Sequence, residues 1–168
     1  MKTNITIISL LSDFSKDIGK SLSDKLEMYY VDIQELMEFN LVNDEEVIKL
    51  CGVEYLNKLQ AKTVADVSGY DNAVITIDYK FLVDKKNIEN LKVRSSIIYL
   101  ATNQKTFLKL FDKYKTEENE KDDVVELAVF DEHDEYLRKI SDIVIDVDKA
   151  TDKGVVKKII KTIEKYYE

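Results

Sequence analysis

At 168 residues, 45% of them hydrophobic, the chain is long enough for one compact core, and residues 1–168 are expected to form a single domain. A formal net charge of -8, from 33 acids against 25 bases with no basic stripe, argues against non-specific binding to nucleic acid or to an anionic membrane. One cysteine excludes an internal disulfide framework, and one histidine beside it makes a zinc site improbable. No apolar run is long enough to cross a bilayer, and Met1-Lys2-Thr3-Asn4 leads straight into a strand pattern, so a cytoplasmic protein is expected.

In chain order, residues 4–11 form a β-branched run closed by Ser12-Asp13, which reads as a buried strand ended by a helix-capping pair. A helix over 14–27 follows, because Phe14, Ile18, Leu22 and Leu26 recur every four residues on one face. Residues 28–32 read as a second strand. Helical spacing then runs over 33–67, with breaks near 40–44 and at Gly52. Further strands are expected at 73–77, 95–100 and 143–147, with helices over 85–91, 104–113, 124–139 and 152–167. Short apolar strands alternating with helices imply a three-layer α/β/α fold around a five-stranded parallel sheet. Ligands of such sheets sit beyond the carboxyl ends of the strands, which directs attention to residues 12–16, 32–34, 78–80 and the segment after Leu100. The acidic run 116–123 has little to bury and reads as an exposed loop.

Three stretches, "NITIISLL…IGKSLSDKLEMYYVDIQELME", "AVITIDYKFL" and "SDIVIDVDKATDKGVVKKIIKTIEKYYE", resemble the shikimate kinase family of phosphate-loop kinases, and the likeness runs nearly the whole length. The resemblance implies the fold of those enzymes more than their activity, since the chemical motifs differ. A phosphate loop reads G-x-x-x-x-G-K-[ST]. Read from Gly19-Lys20-Ser21, its first glycine would be Phe14, and the motif would lie inside the helix, so these three residues read as helix interior and surface. In the family register the loop is Ser9 to Lys16, with Ser9 and Phe14 at the glycines, Ser15 at the lysine and Lys16 at the magnesium-binding hydroxyl. Asp13 or Ser12 is expected to cap the helix, a fixed carboxylate there would compete with phosphate and repel it, and Ser12, Ser15 and Lys16 are left as a vestigial anion site.

The same resemblance places Asp32 at the carboxylate that organises magnesium and Gln34 where an acid contacts shikimate; glutamine hydrogen-bonds but is no base. Asp32 alternatively caps the next helix. Ile77, Asp78 and Tyr79 replace a glycine triplet and are expected to fill the space where backbone amides approach substrate. Asp32 and Asp78 at the ends of neighbouring strands make a candidate divalent-metal pair. Asn57 and His133 fall at substrate arginines, with His133 otherwise a solvated surface residue, and the lid at 115–123 is acidic rather than arginine-rich. The expected protein is a degenerate shikimate-kinase-like pseudoenzyme that needs no cofactor and binds a small molecule or a protein partner. The alternative is an unconventional shikimate kinase or related small-molecule kinase using ATP and Mg2+, with Lys16 or Lys20 in place of the missing lysine.

Overall fold

The computed structural model describes residues 2–40, 49–114, 128–148 and 151–167. Five strands, β1 (Asn4–Ile8), β2 (Tyr29–Asp32), β3 (Ala73–Thr76), β4 (Ser95–Ala101) and β5 (Ile143–Asp146), form one sheet in the order β2-β3-β1-β4-β5. Every pairing is parallel. The helices are α1 (Ser12–Leu26), α2 (Ile33–Asn40), α3 (Val53–Ser68), α4 (Lys85–Arg94), α5 (Gln104–Tyr114), α6 (Phe130–Ile140) and α7 (Asp152–Tyr167), and a 3-10 turn covers Tyr79–Val83.

The period-2 alternation of the strands divides the core between two faces. Ile5 and Ile7 of β1 pack with Ile98 and Leu100 of β4 against Phe14, Ile18 and Leu22 of α1 and Val155, Val156 and Ile159 of α7. Ile8, Ile75, Ile97 and Tyr99 point the other way, against Val64 and Val67 of α3, Leu91 of α4, Phe107 of α5 and Leu137 of α6. This is the three-layer arrangement expected from the sequence. All seven residues of β4 are buried, because it lies inside the sheet with helices over both faces.

Several boundaries differ from the sequence reading. β1 ends at Ile8, because Ser9 leaves the strand and its hydroxyl bonds to the carbonyl of Leu11, turning the chain. Helix α1 therefore begins at Ser12, two residues earlier than expected. Gly52, at φ 81°, precedes α3 and accounts for the expected break there. The other break, near 40–44, lies mostly in 41–48, outside the described residues, as do the acidic run 116–123 and the first residues of the helix expected over 124–139.

Candidate functional site

The strand order places β1 between β3 and β4, so the β1–α1 corner opens beside the carboxyl end of β3. A cleft of about 240 Å³ lies there. Its floor is apolar, from Leu10, Leu11, Tyr79 and Phe111, and its polar rim comes from Ser12, Asp13, Lys16, Gln34, Asp78 and Lys80. Ser12, Lys16, Gln34 and Asp78, singled out in sequence, thus meet at one cavity although the chain separates them by up to 66 residues.

The corner is built differently from the expected capped helix. Leu11 holds the N-cap position in extended conformation, and no side chain caps α1. Ser12 instead donates its hydroxyl to Asp78 Oδ2 at 3.1 Å, across the cleft, while Asp13 stands exposed in the first turn. Ser15 is buried, with its hydroxyl given to the Ser12 carbonyl at 2.8 Å, and it is no part of the cleft wall. The expected vestigial triad therefore reduces to Ser12 and Lys16.

Lys16 points its ammonium at Asp32, 3.6 Å from Oδ1. Asp32 is nearly inaccessible and heavily engaged: Oδ1 accepts the Glu35 amide at 2.7 Å, and Oδ2 accepts the Thr76 hydroxyl at 2.6 Å. The first of these bonds is the N-cap of α2, the alternative role open to Asp32 in the sequence. Because the single Thr76 proton goes to Asp32, the Tyr30 hydroxyl is the donor in its 2.8 Å contact with Thr76. Burial and the nearby Asp32 carboxylate raise the Tyr30 hydroxyl well above the ordinary tyrosine range.

The two carboxylates of the candidate metal pair, Asp32 and Asp78, each hold other partners. Asp78 serves as N-cap of the 3-10 turn, with Oδ1 accepting the Lys80 amide at 2.9 Å and Oδ2 taken by Ser12. Asp32 is turned to Lys16, Thr76 and α2, and no group of three or more metal-binding side chains occurs among the described residues. Within the segment 77–79, Ile77 and Tyr79 belong to the core, Tyr79 also reaching the cleft, and Asp78 turns a carboxylate oxygen to Ser12 on the cleft rim.

The two remaining candidates lie elsewhere. Asn57 is exposed on α3 and lines no part of this cleft. His133, on α6, is half-buried rather than solvated, because its ring packs on that of Tyr79 with centroids 5.0 Å apart. Gly19 is also no surface residue: it is buried where α1 meets β3. Asp13 and Lys80, inside the segments 12–16 and 78–80 marked by the sheet topology, line the cleft as well, whereas the sequence did not single out Phe111 or the pairing of Lys16 with Asp32. A more open cleft of about 550 Å³ lies beyond β4 and β5, but its Asp134 is already bonded to Tyr99 at 2.8 Å and to Arg138 at 2.7 Å.

The family profile described as "Shikimate kinase" matches residues 16–164, which is most of the chain. The chain belongs to the shikimate kinase family. A shikimate kinase of Sulfurihydrogenibium sp. is 21% identical over 166 residues, covering 96% of this chain and 98% of the relative. Among solved structures, shikimate kinase from Aquifex aeolicus superposes with a TM-score of 0.75 at 18% identity, over 98% of each chain. Shikimate kinase from Acinetobacter baumannii in complex with shikimate gives 0.77 at 16% identity, covering 99% of this chain and 95% of the other. The fold expected from the sequence is therefore that of shikimate kinases. At the position of Asp32 an ammonium of the chain itself stands 3.6 Å from the carboxylate.

Proposed function

We propose that this chain is a catalytically degenerate shikimate-kinase-like protein of the cytoplasm, whose corner cleft holds a small polar molecule instead of transferring phosphate. The observation that carries this reading is the Lys16–Asp32 ion pair, which sets an ammonium of the chain against the carboxylate that the resemblance assigns to magnesium. Supporting it, Ser15 is turned inward at the register position of the phosphate-loop lysine. Losing one preorganised donor to developing charge costs on the order of a hundred- to a thousandfold in rate, and several are replaced here. The cleft, at about 240 Å³, falls below the roughly 300–1,000 Å³ of ordinary ligand sites and suits a small molecule better than a whole nucleotide. Its rim offers two carboxylates, two ammonium groups, a hydroxyl and an amide, so a ligand with hydroxyls and both signs of charge finds partners.

A thermal-shift panel of nucleotides, shikimate, phosphate and small amino and hydroxy acids tests this, because a ligand that binds only the folded chain raises its apparent stability. Stabilisation by a small polar acid that Asp78→Ala and Lys16→Ala both abolish is the expected result. MgATP affinity in the micromolar range would contradict it.

One observation favours a second reading, an unconventional ATP- and Mg2+-dependent small-molecule kinase. The first turn of α1 carries no side-chain cap, and Lys16 stands beside it on the cleft. Lys20 is less suited, since it pairs with Glu35 at 3.6 Å and lies over the Tyr30 ring. A coupled phosphorylation assay with shikimate decides: turnover lost in Lys16→Ala would establish the kinase, and no turnover removes it.

A further inference from the structure

The corner contains a cation that is part of the chain. The Lys16 side chain is 17% exposed and that of Asp32 2%, so their 3.6 Å ion pair is largely shielded from solvent. Around the same carboxylate stand the Glu35 amide and the Thr76 hydroxyl, and Thr76 is itself held by Tyr30. Each of these donors is fixed by secondary structure: Lys16 by α1, Glu35 by the first turn of α2, Thr76 by β3, and Tyr30 by β2. A magnesium-like ion requires oxygen ligands with free lone pairs in near-octahedral array. At Asp32 three partners, the Glu35 amide, the Thr76 hydroxyl and the Lys16 ammonium, already occupy most of the carboxylate's acceptor sites, and a fixed positive charge repels an incoming one in a poorly solvated setting.

The geometry points to Lys16 as a built-in replacement for a divalent ion at Asp32. Its ammonium supplies positive charge at the β1–α1 corner permanently, without exchange with solvent metal. Because Lys16 also lines the cleft, the same ammonium serves an anionic group of any ligand there, and that binding is independent of divalent metal. The last point rests on the proposed reading of the cleft as a ligand site; the exclusion of metal rests on the ion pair alone.

The test uses Mn2+ by itself, its free fraction followed by electron paramagnetic resonance, on the full chain as wild type, Asp32→Asn, Lys16→Ser, Lys16→Met and Lys16→Ser/Asp32→Asn. Lys16→Ser removes the ammonium and places a hydroxyl oxygen near Asp32. Its Mn2+ affinity is expected to exceed that of wild type by at least about tenfold, and the double variant is expected to lose that gain. Equal affinity in wild type and Lys16→Ser overturns the proposal, as does sub-millimolar Mn2+ binding by wild type that Asp32→Asn abolishes. Should Lys16→Ser fail to fold, Lys16→Met makes the same comparison: a gain over wild type supports the replacement, and equality overturns it. Since no nucleotide or small acid is present, a failure here is separate from a failure of the proposed function.

Discussion

A Cβ added to Gly19 would lie 2.5 Å from Thr76 Cγ2, a separation that real Cβ atoms do not adopt. Helix α1 is therefore pressed onto β3 to the distance that only glycine permits. Thr76 cannot swing aside, because its hydroxyl is fixed between Tyr30 and Asp32. The close approach of α1 also sets how far Lys16, one turn earlier, reaches toward Asp32.

Gly19→Ala is accordingly expected to destabilise. In an unobstructed helix the change stabilises by about 0.5–1 kcal/mol, whereas here overpacking should cost about 1–3 kcal/mol. The urea midpoint reads the sign directly. Adding Thr76→Ser removes the obstructing methyl and keeps the hydroxyl, so the double variant should recover much of the loss through a favourable coupling. A more stable Gly19→Ala chain would refute the close packing.

Lys16→Met should lower stability by on the order of 1–3 kcal/mol, less than for a fully buried pair because the ammonium retains some solvent contact. The loss comes from leaving the Asp32 charge without its counterion. In a Lys16→Met/Asp32→Asn chain that charge is gone, so the combined loss should fall short of the sum of the single losses. Strict additivity in denaturant titrations would show that the two groups do not interact.

Acid stability depends in part on Asp142. Burial alone would raise its pKa, but the Ile97 amide and the Lys2 and Lys92 ammonium groups outweigh it and hold the carboxyl below its ordinary range. A depressed carboxylate contributes stability that is present above its unfolded pKa of about 4 and is lost as pH falls through the folded value. The stability gap between wild type and Asp142→Asn should thus be widest near neutrality and close in acid below about pH 4. A gap that persists unchanged in acid would contradict this assignment.

At the alkaline end, Tyr99 is fully buried with its hydroxyl on Asp134. Burial first, and then that carboxylate, push its ionisation far above the ordinary range, and burial does the same to Tyr30. A raised pKa contributes stability that is complete below the unfolded value of about 10 and is lost as pH climbs beyond it. Absorbance titration near 295 nm should therefore show some of the ten tyrosines ionising only as the chain unfolds. Tyr99→Phe should cost about 1 kcal/mol at neutral pH and reduce that delayed fraction. Smooth titration of every tyrosine in a chain that stays folded would be the opposite result.

Much of the fold was legible because its signals are local. Ile5, Ile7, Ile97 and Ile98 lie in short apolar runs, and Phe14, Ile18 and Leu22 repeat at helical spacing, so strand, helix and parallel sheet follow from periodicity alone. The site was legible only in part. Ser12, Lys16, Gln34 and Asp78 were identifiable because strand ends collect ligands in such sheets, and all four line the cleft. His133 was misread as solvated because nothing near it in sequence announces the Tyr79 ring against which it packs.

What the sequence determined by itself was the order of strands and helices along the chain and the family frame. Only the tertiary structure decided that Ser12 bonds to Asp78 rather than capping α1, that Gly19 is a packing residue, and that Lys16 faces Asp32. The physical reason is range. Backbone preference and hydrophobic period act within a few residues, whereas Lys16 and Asp32 are joined through β3, a strand that enters the sheet between β2 and β1 and is formed some forty residues further along the chain.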